Sequence, residues 1–272
     1  VLMPNTKPPI ESKSDINFLL KKGSNNAVDI FPTGCITKNC DQKEITEMYD
    51  MYINGAIAFT DDKNTIPNSM VMNIALEYVK NFDGLIMTTC LDNDLNNYGQ
   101  INESLVSAQM GLKPSPEIAE EIIVQRDLSL LRYTNSKLHI STISSKNSVQ
   151  QIKNAKKENL HISTDIAAHQ IILTEELFKD FNTNLKVIPP IRDEKNRKEL
   201  IKGILNGTID AVSSDHTPIE IESKKCEFDN AKFGIIGLET VFPILNTTLK
   251  DKINLSKIID LICINPRKII GT

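Results

Sequence analysis

The sequence predicts an α/β fold in which parallel strands form an eight-stranded TIM-like barrel with helices outside. Seven short apolar runs, each followed by a segment of helical periodicity, lie near residues 1, 28, 57, 85, 138, 161 and 209. Strict alternation of strands and helices is typical of a parallel sheet that helices cover. The length of 272 residues accommodates one barrel, since such domains have about 250 residues. We therefore predict one barrel domain over residues 1–272, truncated at both ends.

The number of units sets one further expectation. Seven strand–helix units are present instead of eight, and Val1 stands at what reads as the end of a strand. We therefore expect the first barrel strand to lie before Val1. A doubly wound open sheet is the alternative, but no glycine-rich phosphate loop follows any of the strands.

The individual elements follow from periodicity and from breaker residues. Strands are predicted over 27–36, 55–60, 83–90, 137–144, 160–168 and 209–212. Helices are predicted over 13–22, 41–54, 67–82, 117–133, 148–157, 193–205 and 255–263, and a further helix opens at 238–240.

Composition excludes several classes of function. The chain is 40% hydrophobic and 24% charged, which is ordinary for a globular protein. The net charge of -4 and the absence of a basic stripe argue against a nucleic-acid surface. No apolar run is long enough to cross a bilayer, and no signal peptide is recognised. The five cysteines lack CxxC spacing, so we expect reduced thiols in a cytoplasmic protein.

Acidic residues follow two of the predicted strands. Asp215 comes directly after strand 209–212, and Asp61 and Asp62 follow strand 55–60. In a parallel barrel, the chemistry lies at the carboxyl ends of the strands. A carboxylate there can bind a metal or carry the proton of a metal-bound water, although an isolated strand-end Asp more often caps the next segment. The sequence leaves open which of Asp61 and Asp62 points inward, and we favour Asp61.

Several motifs together resemble one family. SSDHTP at 213–218 and GIIGLET at 234–240 are similar in sequence and spacing to the last barrel strand and loop of dihydroorotases. These belong to the amidohydrolase superfamily, and the shorter bacterial type is the most similar. MPNTKPPI at 3–10, TDDK at 60–63 and NPRKIIG at 265–271 extend the resemblance over nearly the whole chain. In the family, the last motif closes the barrel before a small β-sandwich, which we expect to be absent or minimal here.

The resemblance implies an activity in pyrimidine biosynthesis. Dihydroorotases reversibly hydrolyse the cyclic amide of dihydroorotate to carbamoyl aspartate, with zinc activating the water. Carried over to this chain, Asp215 is the proton carrier and a metal ligand, Asp61 is a second metal ligand, and Asn5 contacts the substrate carboxylate. The remaining ligands of the first metal form an HxH pair on the first strand, which lies outside this sequence.

Four positions depart from the family pattern. Thr89 and Thr142 stand where the family has the histidines of its second metal. A neutral hydroxyl is a poor zinc ligand compared with imidazole, so we expect one zinc ion at most. Ile188 replaces an Asn that faces the substrate, and Ile219 replaces a His that meets its carboxylate. An aliphatic side chain beside a carboxylate leaves a charge unpaired and weakens binding.

Two interpretations therefore remain open. The chain is either a dihydroorotase that works with one metal, or a non-catalytic homologue of the kind that assembles with aspartate carbamoyltransferase. A homodimer is compatible with the resemblance, although the sequence shows no interface signature. Among the remaining candidate residues, we expect His139 to be a hydrogen-bonded core residue and Cys90 to be a buried free thiol.

Overall fold

A computed structural model describes residues 1–272. Its strands are β1 (Leu85–Thr89), β2 (Ile101–Asn102), β3 (Pro114–Ser115), β4 (Lys137–Ser141), β5 (Ile162–Ala167) and β6 (Ala211–Ser213). Strands β1, β4, β5 and β6 form a parallel sheet in that order, and β2 and β3 pair separately. Chain order therefore equals spatial order in the main sheet, as successive right-handed crossovers produce in a barrel.

The sheet continues on the other side of β1 through isolated parallel bridges. Leu2 pairs with Pro32, Gly34 pairs with Phe59, and Phe59 pairs with Ile86. All seven predicted strand segments thus lie side by side in chain order, which confirms the predicted parallel α/β architecture. The segments near residues 1, 28 and 57 make single bridges instead of extended ladders.

The helices lie between successive strands. They are α1 (Lys13–Gly23), α2 (Met48–Ile53), α3 (Ser69–Lys80), α4 (Asn93–Asn96), α5 (Leu105–Met110), α6 (Glu117–Thr134), α7 (Lys146–Lys157), α8 (His169–Ile172), α9 (Glu194–Leu205), α10 (Val241–Leu249), α11 (Leu255–Ile259) and α12 (Asn265–Ile270). Short 3-10 turns occupy Lys38–Cys40, Glu175–Asp180, Thr183–Leu185 and Ile221–Ser223, and a π-helical turn joins α11 to α12 at Asp260–Ile264.

Most predicted helices agree with these bounds to within about two residues, the usual uncertainty of helix ends. The exception is the helix predicted over 41–54, which is confined to α2. Thr37 forms an antiparallel bridge with Ile45, so the first part of that segment folds back on the preceding loop. That prediction was wrong because helical spacing of apolar residues does not show where a segment is held by another part of the chain.

The two faces of the sheet bury different residues. Alternate strand residues point to opposite faces. Ile86 of β1 joins a core of 37 buried residues between sheet and helices, whereas Leu85 and Met87 pack with Ala58 on the inner face. Ile269 and Ile270 of α12 pack against this inner cluster. The inner face at the carboxyl ends of the strands carries polar residues, described next. No helix in the structure combines the length and apolar character that a bilayer span requires.

Candidate active site at the carboxyl ends of the strands

A largely buried ion pair occupies the carboxyl ends of the strands. Lys63 Nζ lies 2.7 Å from Asp215 Oδ1, and their side chains are only 27% and 10% exposed. The same ammonium donates a hydrogen bond of 2.8 Å to the carbonyl oxygen of Ile188. Lys63 therefore links three segments that follow different strands. We refer to this region, with Asn5 and Asp62, as the mouth.

Asp62 joins the mouth through Asn5. The Asn5 side-chain amide donates a hydrogen bond to Asp62 Oδ2. Burial raises the pKa of Asp62, and the charge of Lys63 opposes that rise. Burial also raises the pKa of Asp215, where Lys63 again opposes the rise while Asp165 and Asp62 add to it. One ammonium thus compensates several neighbouring carboxylates.

The structure turns Asp61 away from the mouth. Asp61 is 2% exposed and its Oδ1 accepts hydrogen bonds from the amides of Ile36, at 2.9 Å, and Thr37, at 3.0 Å. The Thr37 hydroxyl donates to Oδ2. Phe59 belongs to the outer core and Ala58 to the inner cluster. Because side chains alternate between the two faces of a strand, Asp61 falls on the same face as Phe59 and Asp62 on the same face as Ala58. We therefore correct the expectation that Asp61 points inward, and metal binding by these acids stays a prediction.

The two threonines at the expected metal-ligand positions lie at the carboxyl ends of two strands. Thr89 ends β1 and Thr142 directly follows β4. Thr89 and Thr142 are both buried. The Thr89 carbonyl accepts a hydrogen bond of 2.6 Å from the Thr65 hydroxyl. The Thr142 hydroxyl has no hydrogen-bond partner, while its amide donates to Asp165 Oδ1 at 3.2 Å. Neither position supplies an imidazole or carboxylate to the mouth.

His139 and Asp165 form a buried pair inside the sheet. His139 Nε2 lies 2.8 Å from Asp165 Oδ2, and Nδ1 lies 2.8 Å from the Ser163 hydroxyl. The Ser213 hydroxyl donates to Asp165 Oδ1 at 2.7 Å. Burial opposes ionisation of Asp165, but the hydrogen bonds from His139 and Ser213 prevail and lower its pKa. His139 is thus a hydrogen-bonded interior residue, as predicted. Asp165 was not identified as a site residue from the sequence. The alternation of side chains along the adjacent strand, which places Asp165 on the inner face, was the available signal.

A second histidine stands beside a cavity. His169 begins α8 and lines a cavity of about 390 Å³ between α8, α10 and the loop at Gly237. Burial, aided by the charge of Lys63, lowers the pKa of His169 to about 4. Its Nε2 has no hydrogen-bond partner. His169 is therefore neutral at pH 7.

The loop after β6 is held close to the mouth by backbone contacts. The His216 ring accepts hydrogen bonds at Nδ1 from the amides of Gly237, at 3.2 Å, and Leu238, at 3.3 Å. A Cβ atom at Gly237 would lie 2.1 Å from the Ser214 carbonyl oxygen, so only glycine fits there. Ile219 packs against Gly234 in the same loop and offers no polar group to a substrate.

The donor set of the mouth does not fit a resident zinc ion. Zinc prefers four nitrogen, sulfur or carboxylate ligands. The mouth offers the carboxylates of Asp62 and Asp215, but the ammonium of Lys63 is bound to Asp215 and would repel a dication. Both ring nitrogens of His139 are engaged by Asp165 and Ser163.

Three potential ligands do converge elsewhere, at Cys35, Cys40 and Asp61. Cys35 and Cys40 are paired as a disulfide, which differs from the expectation that all five cysteines are reduced. Cys90 is a buried free thiol, as predicted.

Comparison with solved structures identifies the class of the fold. The chain superposes on L-hydantoinase (dihydropyrimidinase) from Arthrobacter aurescens with a TM-score of 0.86, at 21% identity, covering 99% of this chain and 62% of that one. It superposes on dihydroorotase in complex with 5-fluoroorotic acid from Saccharomyces cerevisiae with a TM-score of 0.76, at 13% identity, covering 99% of this chain and 75% of that one. The fold is therefore the TIM barrel that these two structures share.

Sequence comparison then identifies the family. The model of the family described as "Dihydro-orotase-like" matches residues 1–148. The chain is 38% identical to the dihydroorotase of Carboxydothermus hydrogenoformans and 39% identical to that of Caldicellulosiruptor saccharolyticus, over 272 residues in each case. The chain belongs to the dihydroorotase family. The matched region is 99% of this chain but only 63% of the length of either relative.

Proposed function

We propose that this protein serves pyrimidine biosynthesis as a non-catalytic member of the dihydroorotase family. The ion pair between Lys63 Nζ and Asp215 Oδ1, at 2.7 Å, is the observation that carries this proposal. Asp215 is the acid that would bind the metal and carry the proton in the family reaction. A carboxylate that is held by an ammonium is less accessible to a second cation.

The substrate side of the mouth supports the same proposal. Ile219 packs against Gly234, and Ile188 contributes only its backbone carbonyl, which Lys63 already occupies. A carboxylate substrate would meet Asp62 and Asp215 with one ammonium to compensate them. Like charges in a partly buried site oppose its binding.

One-metal hydrolysis of dihydroorotate is the second candidate, and a specific contact favours it. Asn5, the expected substrate ligand, holds Asp62 at the same mouth as Asp215. In the complete gene product, an HxH pair together with Asp62 and Asp215 would supply nitrogen and carboxylate ligands of the kind that zinc accepts. This candidate requires Lys63 to leave Asp215.

The decisive experiment is dihydroorotate hydrolysis by the complete gene product after purification with zinc. We expect no turnover above that of Asp215→Ala, with the two proteins equally folded by circular dichroism. Turnover that Asp215→Ala abolishes would establish the hydrolase and refute the non-catalytic proposal. Lys63→Gly serves as a matched variant, because this substitution removes the ammonium and frees Asp215.

We further propose aspartate carbamoyltransferase as the partner, because the family includes non-catalytic chains that assemble with this enzyme. The test is co-purification of the tagged complete gene product with the transferase of the same organism, followed by size-exclusion chromatography. A complex that elutes with both chains supports the proposal. Separate elution at micromolar concentrations contradicts it.

A further inference from the structure

We propose that Cys35, Cys40 and Asp61 form a zinc site in the reduced protein, separate from the mouth. One oxygen of Asp61 and both sulfur atoms lie within 4.8 Å of one another. All three residues are buried. This site is distinct from the family-type site discussed above, because Asp61 faces the loop at 35–42 and not the mouth.

The chemistry of the three donors fits zinc. Thiolate and carboxylate are preferred zinc ligands, and structural zinc sites commonly have two cysteines separated by two to four residues, which the spacing of Cys35 and Cys40 matches. Their Cα atoms are 5.8 Å apart, so both sulfurs reach one point. The three donors leave one tetrahedral position for water.

Asp61 is a buried acidic residue that no basic side chain of the chain pairs with. This carboxyl group is 2% exposed. Asp61 forms no ion pair with any Lys, Arg or His of the chain, and hydrogen bonds from Thr37 and Ile36 are its only partners. A buried carboxylate without a cation is costly, and a bound dication would compensate it.

The hydrogen bonds leave room for that cation. Oδ1 accepts from two amides, which uses both of its lone pairs. Oδ2 accepts only from the Thr37 hydroxyl, which itself accepts from the Gln42 amide at 2.8 Å. One lone pair of Oδ2 therefore remains for a metal, while the other contacts fix the orientation of the carboxylate, as outer-shell partners do in metal sites.

The zinc-bound and disulfide states exclude each other. In the reduced state, Cys35 and Cys40 lose their two protons on binding zinc. In oxidation, the two thiolates give up two electrons, form the sulfur–sulfur bond and release the ion. A small-molecule disulfide such as oxidised glutathione accepts those electrons and, with two protons, becomes two thiols. The Cys35–Cys40 disulfide of the structure is the oxidised form of this site.

The test uses the complete gene product, reduced with a phosphine and titrated with Co²⁺ as the probe. Thiolate ligands give a sulfur-to-cobalt charge-transfer absorption, which ligands of the mouth cannot produce because the mouth contains no cysteine. We expect this absorption to saturate at about one ion per chain and to disappear on addition of zinc. Oxidation with oxidised glutathione before titration is expected to abolish it.

Three variants locate the site. Cys40→Ser is expected to lose the absorption, and Asp61→Asn to weaken cobalt binding about tenfold or more, since even outer-shell groups contribute about 10- to 100-fold. Cys226→Ser removes a partly exposed free thiol outside the cluster and is expected to change nothing. Absence of the absorption in the reduced wild type, or its persistence in Cys40→Ser, would overturn the proposal. Neither result depends on whether dihydroorotate is hydrolysed.

Discussion

Lys63 governs the electrostatics of the mouth at the scale of single residues. Its ammonium opposes the rise that burial causes in the pKa values of Asp62 and Asp215, and its charge helps to lower the pKa of His169. Removing the charge leaves Asp215 buried and unpaired. Lys63→Met is therefore expected to lower the free energy of unfolding by about 2–3 kcal/mol, less than for a fully buried pair because Lys63 is partly exposed.

A double-mutant cycle by urea unfolding checks this expectation. Because Asp215→Asn removes the charge that Lys63 compensates, the double variant Lys63→Met/Asp215→Asn should be more stable than Lys63→Met alone. Simple additivity of the two single effects would show that the ion pair contributes no coupling energy.

His169 predicts a pH dependence with a definite sign. Its pKa falls from 6.5 to about 4 on folding, so the unfolded chain binds the proton more readily. This stabilisation is complete above pH 6.5 and is lost as the pH falls from 6.5 to about 4. The loss approaches about 3 kcal/mol, at 1.36 kcal/mol per pKa unit. Urea unfolding at pH 7 and pH 4.5 measures it, and His169→Gln should show a smaller difference. An equal difference in both proteins would contradict the assignment.

The candidate site was only partly predictable from the sequence, for reasons seen in particular residues. Asp215 was identified because it follows a strand and Asn5 because of the resemblance to dihydroorotases, and both lie at the mouth. The choice between Asp61 and Asp62 depended on which face of the sheet each side chain takes. Their segment makes only single bridges, so its alternation could not be counted from an extended strand. Lys63 was missed because a lysine after two acids reads as part of a turn, and its contacts with Asp215 and Ile188 join distant segments.

At the scale of elements, α6 is fixed to the loop after β4 by one buried glutamate. Glu120 accepts hydrogen bonds from the amides of Ser144, at 3.0 Å, and Ser145, at 2.9 Å, and from the Ser144 hydroxyl. Arg192 Nε donates to the same hydroxyl at 3.0 Å. One carboxylate thereby satisfies the backbone at the end of a strand and joins it to a helix and to the segment before α9.

Glu120→Ala is expected to destabilise the protein by about 3–5 kcal/mol, because it leaves buried donors without acceptors and removes the anion that contributes most to compensating the buried Arg192 guanidinium. Thermal or urea unfolding measures the change. The control is Glu103→Ala, at an exposed glutamate, which should stay within about 0.5 kcal/mol of the wild type. Similar losses in both variants would show that the buried network adds no special stability.

The contrast between long and short elements explains how far the fold was predictable. Helix α6 and strand β4 each have a continuous pattern of apolar residues, and both were predicted from the sequence. The segment at 41–47 has the apolar spacing of a helix but is held by the Thr37–Ile45 bridge beside the Cys35–Cys40 pair. Such tertiary constraints override local propensity and leave no local trace.

At the scale of the whole molecule, one core joins nearly the entire chain. The 37 buried residues of the main cluster run from Ile10 to Leu261, and two smaller clusters of six and three buried residues lie apart from it. Inside the sheet, the second layer of Ala58, Leu85 and Met87 is covered by α12, which follows the last strand. Residues near both ends of the described chain therefore pack on the same sheet, and one domain over residues 1–272 stays a prediction.

A main core of this extent predicts cooperative unfolding of the strands that it joins. Hydrogen exchange of the complete gene product, followed by mass spectrometry of peptides, should give β1, β4 and β5 the same free energy of opening to within about 1 kcal/mol, because these strands open only with the whole core. Peptides from the exposed loop at 24–29 serve as the control and should exchange much faster, since all of these residues are exposed. If the part before β1, which is joined by single bridges, protects its amides with a clearly lower free energy than β4 and β5, the chain contains two cooperative units. The one-domain prediction would then fail, and the division would fall where the ladders end and the isolated bridges begin.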